Sequence, residues 1–268
     1  KEEAISFLTK SYDQNYLPAT AWLAKAFWCS NGEYCNKDRA ENLFQTAANK
    51  GFAFSAYMLG WRLVEESKSG GTSLLKIAAA RGINEADRVL AMQEYDKGNK
   101  RAARSFWEES AKDGNTMSMD ALHYLYLEDT NFKNESVSRT WIEKAARLKY
   151  PNSMLRLALL HHRGLLGYRK ESETYYETAK ELHEFDIPLA TFRYAESNFF
   201  GISINKNYSK AYQLVEDCSV LNCLILKGIA SRWGQGTSTS LSKANKFLLE
   251  AEERKDEEMQ DDSFWLGQ

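Results

Sequence analysis

One helical phrase returns along this chain at a solenoid-like period, and that return limits the fold more than any single residue does. A residue that is usually Leu is followed by a small one, and some turns later comes a polar amphipathic stretch closing on a pair such as Ala-Ala. Two clear copies are Ala53-Phe54-Ser55-Ala56-Tyr57-Met58-Leu59-Gly60 and Arg139-Thr140-Trp141-Ile142-Glu143-Lys144-Ala145-Ala146. The position after the Leu is held by Ala24, Gly60, Ala91, His123, Ala158, Ala195, Gly228 and Gly267, at intervals of 36, 31, 32, 35, 37, 33 and 39. A helical pair of that length cannot bury its own apolar face. Pairs must therefore stack, and function belongs to the surface that stacking creates. The expectation is an all-α, right-handed α-solenoid of about seven stacked helix-turn-helix repeats.

The punctuation sets the register. Pro18, Pro151 and Pro188 fall where the first helix of a pair, helix A, should begin; there a missing N–H is harmless and the fixed φ suits the first turn. Gly51, Gly82 and Gly114 fall just past the second helix, helix B, where a left-handed cap is wanted. Later copies carry Tyr150 and Phe185 near that point, so the closing turn is expected to change character. The reading is one repeat domain over residues 1–268. It comprises a half-repeat at 1–15, pairs at about 16–51, 52–82, 83–114, 115–150, 151–185, 186–220 and 221–255, and a partial repeat or cap at 256–268.

Thirty-five Lys and Arg against 37 Asp and Glu leave a net charge of -2, so no global field gathers nucleic acid or anionic lipid. No stretch reaches the roughly 18 apolar residues of a membrane span. The chain starts at Lys1 instead of Met and is read as processed or trimmed, so the lack of a signal peptide says nothing of destination.

The cysteines form two close pairs, Cys29 with Cys35 and Cys218 with Cys223. Even number and clustering favour local disulfides in an oxidising compartment, against the alternative of buried free thiols. Residues five apart on one continuous helix lie roughly 8 to 9 Å apart, beyond disulfide reach. A second bridge therefore requires a helix to end between Cys218 and Cys223, and the register puts that break at Ser219 to Leu221.

Signs of catalysis are lacking. The four histidines are His123, His161, His162 and His183; the adjacent pair diverges by about 100° on a helix and cannot converge on one ion. No nucleophile elbow, phosphate loop or zinc-protease motif occurs, so no enzyme activity, cofactor or metal is expected. Asn134-Glu135-Ser136 and Asn207-Tyr208-Ser209 fit the glycosylation pattern, which chance also produces.

The residues Leu59-Gly60, the run Asp38-Arg39-Ala40-Glu41-Asn42-Leu43-Phe44-Gln45-Thr46-Ala47-Ala48-Asn49-Lys50-Gly51, and Trp141-Ile142-Glu143-Lys144-Ala145-Ala146 resemble the Sel1-like repeat, a relative of the tetratricopeptide repeat. The likeness covers nearly the whole chain, with His123 and Ala158 standing where Gly is usual. It implies a protein-binding solenoid: an adaptor in envelope signalling, secretion or quality control, or a periplasmic immunity protein that inhibits a lipase-type toxin delivered by type VI secretion. It also implies that A helices line a concave face, which here would present Lys25, Trp28, Tyr57, Trp61, Arg88, Met92, Tyr95, Tyr124, His162, Phe192, Glu196, Phe199 and Arg232. Aromatics with scattered Arg are hot-spot types, while an aromatic at helical spacing is more often intra-repeat core than interface. Trp28, Trp61, Tyr95 and Phe199 are favoured as contacts because Leu and small residues already supply the core stripe of their helices.

Overall fold

The computed structural model describes residues 2–28, 35–218 and 220–266, with side chains through residue 254. Every regular element among them is a helix. The chain divides into two compact units, Lys1–Leu122 and His123–Gln268. The first holds α1 (Glu2–Asp13), α2 (Leu17–Phe27), α3 (Lys37–Asn49), α4 (Ala53–Glu65), α5 (Gly71–Ala79), α6 (Asn84–Asp96) and α7 (Lys100–Lys112). The division falls within α8 (Thr116–Glu128). The second holds α9 (Glu135–Arg147), α10 (Pro151–Arg163), α11 (Glu173–His183), α12 (Pro188–Phe200), α13 (Tyr208–Val215), α14 (Leu221–Trp233) and α15 (Leu241–Leu266). Consecutive helices pack on one another within each unit.

Two sets of buried, mostly small residues recur. The first joins the helices of one pair: the position after the Leu (Ala24, Gly60, Ala91, His123, Ala158, Ala195, Gly228) is buried in all seven described copies. The closest approach is Gly60 on Gly71, where each glycine lacks room for a Cβ against the other's carbonyl. At His123 the bulk is absorbed by Ser138 opposite, whose hydroxyl lies 2.8 Å from the imidazole Nδ1 and donates to the His123 carbonyl. Along the B helices, small and large buried residues follow as Ala40 and Phe44, Gly71 and Leu75, Ala103 and Trp107, Ser138 and Ile142. In α11 the order reverses to Tyr175 and Ala179.

The second set lies where one pair meets the next. Its members recur eight residues apart in sequence: Ala47 and Ser55, Ala78 and Ala86, Ser110 and Ser118, Ala145 and Ser153, Leu182 and Ala190, all buried and all small except Leu182. Ser118 donates to Ser110 across this joint at 3.0 Å. Cys218 and Cys223 occupy the same two positions but lie only five apart, because α13 stops after 8 residues. A disulfide with Cα atoms 5.9 Å apart closes this shortened joint, and the required helix break lies between Val215 and Leu221. Cys29 lies outside the described residues, and with it the first cysteine pair.

The prolines sit in the first turns of α2, α10 and α12. Gly51, Gly82 and Gly114 have positive φ. Contrary to the sequence expectation, the closing turn keeps its character in the pairs that end near Tyr150 and Phe185. Lys149 (φ 61°) and Asp186 (φ 56°) adopt the same left-handed conformation, and the N–H of Tyr150 bonds Ala145 as that of Phe52 bonds Ala47. Burying the joint matters more than the roughly 1–2 kcal/mol that a side chain costs there. At the C-terminal end α15 runs unbroken from Leu241 to Leu266, so no turn precedes the segment expected to open a further A helix. Asn134 and Asn207 cap α9 and α13 by accepting from Val137 and Lys210 N–H, which accounts for both asparagines structurally.

Candidate protein-binding face

In the first unit, α2, α4 and α6 bring the expected residues together through rings and cations. Trp22 on α2 meets Phe54 on α4 with centroids 6.4 Å apart; Phe54 meets Tyr57 at 6.2 Å; Tyr57 stacks on Trp61 at 6.4 Å with planes 7° apart. Spacings of three and four residues place Phe54, Tyr57 and Trp61 on one side of α4. Cations cover this run. Lys25 lies 5.0 Å from the Trp22 centroid, and the Arg62 guanidinium lies 4.7 Å from Trp61 and 5.6 Å from Trp28. Arg62 is held by Glu65 at 2.9 Å.

From α6, Arg88 reaches the Tyr57 hydroxyl and donates to the Met92 sulfur at 3.2 Å. Burial pushes the Tyr57 phenol pKa up. Met92 and Lys25 are exposed, whereas Tyr57, Trp61, Arg88, Trp28 and Tyr95 are half-buried. Tyr95 packs 5.4 Å from the buried Trp107 of α7, and Trp28 packs 6.0 Å from the buried Phe44, so both rings brace the repeat as well as edge the face. Trp22, 53% exposed, was not among the residues expected to line the face, and only its exposure distinguishes it.

In the second unit the expected residues form a different, polar arrangement. The Tyr175 hydroxyl donates to Glu196, which also receives Arg193 at 3.1 Å. His162 stacks on Tyr175 with centroids 5.0 Å apart, and its Nδ1 lies 2.8 Å from the Ser172 hydroxyl. Burial lowers the His162 pKa and raises that of Tyr175 well above the usual phenol range. Arg193 lies 5.1 Å from the Phe192 ring centroid, Arg156 lies 4.0 Å from that of Tyr124, and the exposed Arg232 lies 5.6 Å from that of Trp233. Phe199, favoured as a contact, is corrected to a core residue. It is 4% exposed and packed 5.1 Å from Tyr208, because the start of α13 folds over it.

The histidines are spent on packing: His161 lies 4.4 Å from the Tyr168 ring, and His183 contacts Thr191 and Tyr194. Among the described residues no three His, Cys, Asp or Glu side chains are grouped to hold a metal ion.

No family model matches the chain, and no curated protein matches it. Solved structures do. A protective antigen of uropathogenic Escherichia coli strains displaying an SLR fold is similar over 93% of this chain and 56% of its own, at 19% identity and a TM-score of 0.70. A Sel1 repeat protein from Oxalobacter formigenes is similar over 94% of this chain and 76% of its own, at 17% identity and a TM-score of 0.67.

The fold is that of Sel1 repeats. The chain thus spans little more than half the length of the first of these proteins. Within the Sel1-repeat fold, an all-helical solenoid, the aromatic run crosses α2 and α4, the A helices of the first two pairs. No described helix is long and apolar enough to cross a membrane.

Proposed function

We propose that this chain is a non-enzymatic protein-binding module whose A-helix face in the first unit holds one tailored partner. The observation that carries the reading is the run Trp22, Phe54, Tyr57 and Trp61, flanked by Lys25, Arg62 and Arg88. Rings left partly open with guanidinium groups beside them are the side chains whose desolvation dominates protein interfaces. The specific form proposed is inhibition: an immunity protein of the bacterial periplasm that occludes a secreted lipase-type toxin. The Cys218–Cys223 disulfide supports an oxidising compartment. A first-unit face built of unevenly spaced rings and cations suits one shaped partner more than many short peptides.

The test is to identify the toxin gene beside this one in its genome, titrate the purified lipase with the chain, and follow hydrolysis. Stoichiometric inhibition is expected. Trp61→Ala should weaken binding by about 1–2 kcal/mol with helicity unchanged. Unaltered affinity would move the interface off this face. Binding to several short segments without inhibition would instead make the protein an envelope adaptor.

A further inference from the structure

The sequence-wide charge of -2 conceals a local imbalance. In the second unit, three of the four loops joining helix A to helix B follow the same ends of α10, α12 and α14, since each A helix is separated from the next by one returning B helix; the fourth, after α8, carries one Asp and one Lys. Together with the last residues of the helices before them, these loops cover residues 163–172, 200–207 and 232–240. They carry Arg163, Arg169, Lys170, Lys206 and Arg232 against one carboxylate, Glu171. All five cations are exposed, and none forms an ion pair among the described residues. In the first unit the corresponding loop cations are neutralised: Lys68 by Glu41 and Glu66, Lys97 by Glu94. The first turns of α11, α13 and α15 add Glu173, Lys210 and Lys243, and their helix N-termini point the positive end of the dipole the same way.

Large apolar side chains stand out from this basic edge. Leu165 is 47% exposed, Phe200 53%, Trp233 66% and Leu241 63%. Phe200 and Trp233 occupy the same place in successive repeats, five residues past Ala195 and Gly228. The loops that bear them are tight: Gly164, Gly201 and Gly234 are left-handed, and Gly236 is pressed against the Tyr208 carbonyl with no room for a Cβ. Phe200 and Trp233 thus end their A helices at the point where each tight loop begins.

We propose that this edge is a peripheral docking surface for an anionic phospholipid bilayer. Trp, Phe and Leu enter the headgroup boundary while the neighbouring Arg and Lys meet the lipid phosphates. Exposed Trp, Phe and Leu beside unpaired cations supply both features that a headgroup boundary takes up, whereas an acidic polypeptide would use the cations and leave the apolar side chains in water. This inference is independent of the partner-binding face proposed for the first unit, and its failure leaves that reading untouched.

Co-sedimentation of the full chain with phosphatidylglycerol–phosphatidylcholine vesicles, against vesicles of phosphatidylcholine alone, tests it. Association with the anionic vesicles only is expected, falling as salt is added. Arg169→Gln with Lys170→Gln should lower partitioning about 25-fold, about five-fold per cation. Phe200→Ala with Trp233→Ala should lower it as well. All four side chains are exposed, so circular dichroism should be unchanged. No association with anionic vesicles at low salt, or association unaffected by both double variants, overturns the proposal. Capture by immobilised poly-glutamate without capture by vesicles overturns it in favour of an acidic polypeptide.

Discussion

Gly60→Ala puts the packing logic of the repeat to its sharpest test, because helix propensity and helix packing push in opposite directions there. Gly60 lies mid-way along α4, and replacing a helical Gly by Ala ordinarily stabilises by up to about 1 kcal/mol. A Cβ on Gly60, however, would sit 2.9 Å from the Gly71 carbonyl oxygen, 3.0 Å from the Leu75 nitrogen and 3.1 Å from the Leu74 Cβ, where ordinary contact begins at 3.4 Å. Two of these obstacles are backbone atoms of α5, which no rotamer change can move. The helices must part by about half an ångström, forfeiting a quarter or more of each contact across the seam. Overpacking of this kind costs about 1–3 kcal/mol, and a rigid obstacle places it at the upper end. The net expectation is a loss of about 2 kcal/mol, read as a lower urea midpoint by tryptophan fluorescence with an unchanged slope. Gly71→Ala should behave alike, its Cβ meeting the Gly60 carbonyl at 2.8 Å. A Gly60→Ala protein as stable as the parent, or more so, would refute the claim that close helix approach is what requires glycine.

Removing the disulfide by Cys218→Ala with Cys223→Ala opens a loop spanning a sequence separation of 5. On the chain-entropy account this lowers stability by about 2 kcal/mol; hydrogen exchange should show the lost protection concentrated in α13, α14 and α15, and identical protection with and without the bond would count against the shortened joint. Lys149→Gly relieves a left-handed side chain at φ 61° and should raise the urea midpoint, with a gain of about 1 kcal/mol; an unchanged midpoint would show that the lysine is not strained there.

Much of the architecture was legible because it is local and repeated. The Leu-small positions, Pro18, Pro151, Pro188 and the three left-handed glycines each state a backbone requirement that holds whatever packs nearby. Cysteine spacing likewise demanded a helix break, which α13 supplies by stopping at Val215. The face was legible only in part. Trp28 and Phe199 occupy the same position in the repeat pattern, four residues past Ala24 and Ala195, yet Trp28 stays partly open while the start of α13 covers Phe199. Lys149 and Asp186 look unsuited to a left-handed turn, and they adopt one because the joint beside them is buried.

The sequence by itself determined that helices come in pairs and where each pair turns, since periodicity, capping and φ preferences act within a few residues. Tertiary structure decided which side chains remain available: Trp22 open and Phe199 closed, Lys68 paired and Lys170 free of any ion pair among the described residues. Exposure and charge neutralisation depend on what a neighbouring helix or loop brings within contact distance. In a repeat fold that neighbour lies one or two helices away, beyond the reach of any local pattern.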